Sequence, residues 1–160
     1  MALVRTRFGN LFGRRSESGT AAIEFALFTP FLLILLTGTV ELGFLMYEAM
    51  QVNNAVEAGI LYAAANTTFN ATNVNNAAVN ASVLPTGLNT LAATSTQYCG
   101  CPTAAGVTNL GTQPPCSATA CSGLQAGTYV QVNASLTHTI IIPNPWVPAT
   151  LNATAVIRTN

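Results

Sequence analysis

The chain has 160 residues, half of them hydrophobic and only 6% charged, against about 25% charged residues in an ordinary soluble domain. It contains no Lys and no Asp, which excludes a P-loop lysine, a Schiff-base lysine and a Ser-His-Asp triad. No formal charge occurs between Glu57 and Arg158. Because this leaves no basic stripe that could neutralise phosphates, we expect no nucleic-acid partner.

A basic leader precedes a long apolar segment. Residues 20–47 contain only two charged side chains, both glutamates. This segment is longer than the about 20 apolar residues that a helix needs to cross a bilayer. Arg14 and Arg15 precede this segment and the next basic residue is Arg158, so the positive-inside rule predicts a cytoplasmic N-terminus. The predicted organisation is a cytoplasmic leader at 1–19, a transmembrane helix at 20–47 and an exported domain at 48–160.

A single helix is predicted over 20–65, because the helical pattern continues beyond the predicted span. Its exported part carries apolar side chains at spacings of three and four residues, at Ala49, Val52, Val56, Ile60 and Ala63. Pro30 removes one backbone hydrogen bond inside the helix, which membrane helices tolerate better than soluble ones. A short second helix is predicted in the Asn-rich segment that follows, where apolar residues recur at near-helical spacing before a proline and a glycine: Val74, Ala77, Ala78, Ala81 and Leu84.

The C-terminal part changes to a period of two. Residues 97–123, which hold the cysteines, are dense in Gly, Pro, Ser and Thr and are predicted as loop. Alternating apolar residues then predict an antiparallel hairpin whose apolar face packs on the amphipathic helix. That face comprises Val130, Val132, Ala134, Leu136, His138, Ile140 and Ile142, followed by Leu151, Ala153, Ala155 and Ile157. The predicted fold class is α+β: a long membrane-spanning helix that continues as an amphipathic helix, packed on a small antiparallel β-sheet.

The cysteines are Cys99, Cys101, Cys116 and Cys121, all in the part predicted to be exported. An even number in an oxidising compartment predicts two disulfides. Cys99 and Cys101 are too close to bridge each other comfortably, so we expect both to pair across to Cys116 and Cys121, in an order that the sequence leaves open. The alternative is a zinc site that uses these thiols or His138. However, the spacing is not a standard zinc pattern, so no metal and no cofactor are predicted.

Catalytic groups are scarce. Beyond the predicted span the only carboxylates are Glu48 and Glu57, the only imidazole is His138, and no sequence pattern indicates that they converge. We therefore expect a protein that is not an enzyme.

The junction of leader and helix, RRSESGTAAIEFALFTPFLL, carries the sharpest motif. Inserting a carboxylate at the centre of a membrane helix costs about 2.5 to 3.5 kcal/mol of free energy. The presence of Glu24 in the predicted span therefore indicates a functional role. Gly19, five residues earlier, resembles the processing site of type IV prepilins and pseudopilins, which a membrane aspartic peptidase cuts after a glycine. The resemblance implies Thr20 as the mature N-terminus, with Glu24 at the fifth mature position and Phe25 at the sixth.

The spacing also has a physical rationale. The Glu24 carboxylate can neutralise the Thr20 amine of a neighbouring subunit, because a buried charge requires a partner. The alternative interpretation is that Gly19 is only a flexible junction and Glu24 an interfacial side chain.

The segments GTAAIEFALFTPFLLILLTGTVELGF and MQVNNAVEAGILYAA resemble the TadE-like family of the tight adherence (Tad, or Flp) pilus apparatus. The likeness covers residues 18–65 closely and the C-terminal part more loosely. The matching positions are Gly19, Ala21, Ala22, Glu24, Phe25, Ala26, Pro30 and Glu41. Two features depart from the pattern: Ile60 and Leu61 stand where many members carry a basic residue, and Phe25 stands where major Flp pilins usually have Tyr.

The resemblance implies a pilin-like fold and a pseudopilin or minor pilin-like protein that serves pilus biogenesis and adhesion. Its expected partners are a prepilin peptidase, other Tad pilus and platform subunits, and the bacterial inner membrane. The exported domain would lie in the periplasm or within an extracellular pilus. The alternative function is an uncleaved bitopic envelope protein whose disulfide-bonded domain binds an extracellular ligand.

Five Asn-x-Ser/Thr triplets begin at Asn66, Asn70, Asn80, Asn133 and Asn152. In a eukaryotic secreted protein they would be glycosylation acceptors. Because the pilin-like leader indicates a bacterial chain, we interpret them as part of an Asn- and Thr-rich surface that replaces charge.

Overall fold

The computed structural model describes residues 17–84, 90–111, 114–116, 121, 123–140 and 147–159. In chain order its elements are α1 (Glu17–Ala65), α2 (Ala71–Asn80), β1 (Leu91–Thr103), β2 (Gly106–Asn109), β3 (Gly127–Thr137) and β4 (Thr150–Thr159). The chain divides into two compact units, Met1–Val40 and Glu41–Asn160. Most of the predicted leader, the predicted stop after the second helix, and Ile142 lie outside the described residues.

In the first unit, α1 is helical throughout its described part, with Pro30 inside it. Its large apolar side chains are uncovered; Phe25 is 68% exposed and Leu35 is 66% exposed. Threonine hydroxyls along it donate to backbone carbonyl oxygens one turn earlier, as from Thr29 to Phe25 at 2.7 Å, which satisfies them without water. The helix from Gly19 to Ala65 is long and apolar enough to cross a membrane, and it fits a single-pass membrane protein. The prediction of one helix over 20–65 is confirmed.

In the second unit, the remainder of α1 and the short helix α2 pack on one face of a four-stranded antiparallel sheet with strand order β2-β1-β3-β4. The predicted apolar stripe of α1 provides much of this core, because Val52, Val56 and Ala63 are buried and Ile60 is half-buried. The strands supply Leu91, Val130, Val132, Ala134 and Leu136, and α2 supplies Val74 and Ala78. The α+β fold class is therefore confirmed.

Gly59 sets how closely α1 approaches the rest of the core. A Cβ atom at this position would lie 3.0 Å from Cγ1 of Val132 and 3.2 Å from Cβ of Ala78. Both distances are tighter than most carbon contacts, so the absence of a side chain lets α1 lie directly against β3 and α2.

The predicted C-terminal hairpin is present. β3 and β4 pair antiparallel with Leu136 opposite Leu151 and Val130 opposite Ile157. The predicted apolar residues therefore share the face that packs on the helices.

The prediction of loop around the first two cysteines is wrong. Residues 97–103 belong to β1, and β2 follows at Gly106–Asn109. β1 pairs with β3 from Leu91 opposite Leu136 to Gly100 opposite Gly127, so hydrogen bonds from a distant strand override the local Gly and Pro content. Pro102 is tolerated because it lies beyond the part of β1 that pairs with β3.

The predicted second helix is present, but it begins before Val74 and ends before Leu84. It begins after Asn70, whose side chain accepts a hydrogen bond from the backbone N–H of Asn73 at 3.1 Å, and it ends at Asn80. The Asn cap provides the start signal. Leu84 lies outside the helix, yet it still packs against the core as a half-buried side chain, which explains why its spacing mimicked a helical position.

Candidate functional site

The predicted processing and assembly residues lie on α1 in the first unit. Gly19, Thr20, Glu24 and Phe25 are all exposed. A Cβ atom at Gly19 would meet nothing within 4 Å, so packing within the described chain does not require a glycine here. Glu24 forms no ion pair with any described residue. Because residues four apart lie on the same side of a helix, Thr20 and Glu24 share one face of this surface.

A second group of polar residues, buried in the second unit, was not anticipated. Glu41, Glu48 and His138 are 4%, 7% and 4% exposed; we call them the buried acid–imidazole cluster. Nδ1 of His138 and Oε2 of Glu48 share a hydrogen bond at 2.6 Å. Nε2 of the same ring faces Oε1 of Glu41 at 3.9 Å.

The position of His138 is fixed from both its side chain and its backbone. Its backbone N–H donates to the carbonyl oxygen of Ala149 at 2.9 Å, immediately before β4 begins. Its ring bonds to Glu48 in α1, which is 90 residues away in sequence. The cluster therefore ties the end of β3 and the start of β4 to α1.

Glu48 and His138 thus converge, although no sequence pattern was found to indicate it. His138 is buried, as the strand pattern indicated. A sequence signal was available. Glu41 and Glu48 are seven residues apart, and the latter precedes Val52 by four, so both lie on the apolar stripe of α1. His138 directly follows β3 and continues the alternation of its buried face, two residues after Leu136. Charges on two faces that must pack together predict a buried pair.

The cluster is closed to solvent, since its side chains are 1% to 9% exposed. Among the described residues no group of three or more His, Cys, Asp or Glu side chains is arranged to hold a metal ion. Because burying a polar or charged group without a partner is strongly unfavourable, Glu48 and His138 each stabilise the burial of the other. The cluster therefore acts as an internal tie, a buried contact that joins α1 to the end of β3.

The disulfides lie at the opposite end of β1 from Leu91. Cys99 pairs with Cys116 and Cys101 with Cys121, with Cα atoms 5.4 and 5.6 Å apart. This is the expected pattern in which the first two cysteines each bond across to the last two. Because all four sulfurs are bonded, none is a thiolate ligand. The bridges hold Cys116 and Cys121 against β1, although neither residue belongs to one of the named helices or strands.

The Asn-x-Ser/Thr triplets differ in their surroundings. Asn70 caps α2, and the Oδ1 atom of Asn133 accepts hydrogen bonds from Gln131 and Thr154 at 3.0 and 2.7 Å. Asn66, Asn80 and Asn152 are exposed. Asn70 and Asn133 thus have structural roles that do not involve glycosylation.

Residues 19–61 match the family model described as TadE-like protein. The match covers the exposed apolar helix with Gly19 and Glu24 and extends to Glu41 and Glu48 of the buried cluster. It agrees with the resemblance seen in the sequence, and at family level it implies a pseudopilin associated with the Tad pilus and with pilus assembly components. No curated protein and no solved structure matches the chain.

Proposed function

We propose that this chain is a pseudopilin, or minor pilin-like component, of a tight adherence (Flp-type) pilus assembly and secretion system. A prepilin peptidase removes the leader after Gly19, and the mature chain acts in pilus biogenesis and adhesion. The observation that carries the proposal is the TadE-like helix, whose apolar side chains and Glu24 carboxylate are both uncovered in the chain itself. Such a surface requires lipid and partner helices.

The proposed orientation places the leader in the cytoplasm and residues 48–160 in the periplasm, with the option of entry into an extracellular fibre. Two features support it. The arginines cluster in the leader, and the two disulfides belong to the far part of the chain, where an oxidising compartment favours them.

In this proposal the Glu24 carboxylate forms the ion pair through which mature subunits assemble. Cleavage after Gly19 creates an amine on Thr20, one helical turn from Glu24. In a bundle of mature helices, the amine of one subunit and the Glu24 carboxylate of its neighbour compensate each other away from water. Such compensation is needed because an unpaired charge in that environment is strongly unfavourable.

Mass spectrometry of membrane-extracted protein tests the processing step. We expect a mature chain that begins at Thr20. Gly19→Leu should block cleavage, because the peptidase requires a small residue before the bond. Gly38→Leu is the matched control, since Gly38 lies on the same helix and is equally open. An intact leader in cells with a working prepilin peptidase would contradict the proposal and favour the uncleaved bitopic protein.

Glu24→Gln tests the assembly step separately. The variant keeps the shape but removes the charge, so it should insert and be processed normally and yet fail to crosslink with pilus subunits. Losing one partner of such a pair costs about 3 to 5 kcal/mol. Glu24→Asp, which keeps a carboxylate, should restore part of the crosslinking. Normal piliation with Gln at this position would show that Glu24 is only an interfacial side chain.

A further inference from the structure

The second unit exposes almost no charge. Its formally charged side chains are Glu41, Glu48, Glu57 and Arg158, and the first two are buried with His138 in the cluster described above. Glu57 and Arg158 are exposed. Neither forms an ion pair with any residue that the structure describes. One anion and one cation therefore stand on an otherwise neutral surface.

These two side chains lie on opposite sides of the second unit. Gly59 of α1 contacts β3, and Glu57 lies about 160° around the helix from it, on the side away from the sheet. Arg158 alternates along β4 with Ile157, which packs against the core, so Arg158 lies on the sheet face that α1 does not cover.

Each charge has exposed apolar neighbours on its own side. We define the helix patch as Met50, Glu57 and Leu61, in which Met50 is 58% exposed and Leu61 is 61% exposed. These residues are seven and four positions from Glu57, so all three share one side of α1. We define the sheet patch as Val156 and Arg158, with Val156 40% exposed; being two apart, they share one face of β4.

We infer that the helix patch of one copy packs on the sheet patch of a second copy, with Glu57 paired to Arg158 of its neighbour. The occupant is a second copy because each patch carries the one charge that the other lacks. No other exposed formal charge of residues 41–160 competes for either one, so the pair fixes the register. Because the two patches are different surfaces, the contact is heterologous and repeats from copy to copy instead of closing as a two-fold dimer.

The inference rests on the proposed function, since repeated copies are expected only for a subunit that assembles. It adds a contact outside the membrane to the helix contact at Glu24. It also names the two surfaces through which exported domains meet.

Cysteine crosslinking in membranes tests the contact, because all four native cysteines are bonded to one another. Glu57→Cys and Arg158→Cys are produced as tagged and untagged chains and treated with copper phenanthroline. We expect a disulfide dimer when both single variants are present together, and a ladder of multimers when one chain carries both substitutions. Asn76→Cys, exposed on α2 and outside both patches, is the matched control and should give neither product.

Charge reversal provides a second measurement that needs no new cysteine. Glu57→Arg and Arg158→Glu should each reduce the co-purification of untagged with tagged chain at least several-fold. Mixing the two single variants should restore it, because the pair is rebuilt with opposite signs at one contact.

Some results would overturn the inference. A dimer formed by Glu57→Cys alone would indicate a two-fold contact, and crosslinks only to other proteins would indicate a different occupant. The N-terminus of the same samples separates the two proposals. Chains that begin at Thr20 but give no ladder contradict the inference alone, whereas uncleaved chains contradict the proposed function.

Discussion

The two units of the chain use the same residue types for opposite purposes. Up to Val40, the large apolar side chains of α1 are exposed. From Glu41 onward, the same helix buries only one apolar stripe, which includes Val52 and Val56, together with Glu41 and Glu48, in the core of its own unit. The comparison shows that one helix is built for two surroundings. The first unit leaves its apolar surface for lipid and other helices, whereas the second covers one side of the helix with its own sheet.

The largest expected effect comes from a pair of glutamates on that helix. Glu48→Ala should lower the free energy of unfolding of the second unit by about 3 to 5 kcal/mol, because it leaves the ring of His138 buried without its hydrogen-bonded partner. Glu57→Ala, at an exposed position, should change it by less than about 0.5 kcal/mol. Chemical denaturation of full-length protein in detergent, at concentrations where it is monomeric, measures both. Equal effects would contradict the role of the cluster as an internal tie.

A pair of leucines sharpens the comparison between lipid-facing and protein-facing surface. Leu136 is 1% exposed and Leu33 is 54% exposed. Leu136→Ala should destabilise the second unit by about 2 to 5 kcal/mol through the cavity it leaves. Leu33→Ala should leave the unfolding of that unit unchanged, since this exposed side chain belongs to the first unit. A loss of stability in the Leu33 variant would show that the second unit depends on the first for its stability.

Two glycines on α1 provide a smaller test. Gly59→Ala places a methyl group against Val132 and Ala78, whereas Gly43→Ala meets nothing within 4 Å. Relative to the Gly43 variant, the Gly59 variant should be less stable by about 1 to 3 kcal/mol, the usual effect of overpacking. Thermal unfolding followed by circular dichroism gives this difference. Equal melting temperatures would mean that α1 can shift away from the sheet without a loss of stability.

The smallest effect concerns alkaline pH. Burial raises the pKa of the Tyr98 hydroxyl above its ordinary value of 10.0, with a further contribution from the charge of nearby Tyr129. The folded state thus favours the neutral phenol. Its contribution to stability is fully present below about pH 10 and is lost as the pH rises through the raised pKa. Tyr98→Phe should flatten the fall in unfolding free energy above that pH, as denaturation curves at several pH values would show. If the unfolding free energy falls equally steeply with pH in the variant, other groups cause the loss of stability at alkaline pH.

The sequence predicted the parts of the fold that depend on neighbouring residues. The apolar run and its helical period predicted α1 to within a few residues, and the period of two predicted β3, β4 and their shared apolar face. The segment that contains Gly19, Glu24 and Glu41 resembles the TadE-like family, and the family model matches residues 19–61. The two disulfides followed from the number and spacing of the cysteines.

The tertiary structure alone decided features that depend on residues far apart in the chain. β1 exists because β3 supplies its hydrogen bonds, although its local composition indicates a loop. The end of α2 at Asn80 left Leu84 to pack on the core without belonging to a helix. Glu48 and His138 meet across 90 residues, so neither residue's own neighbours predict the pair. The physical reason is the same in each case: local patterns report which face of an element is buried, and only packing decides which distant residue buries it.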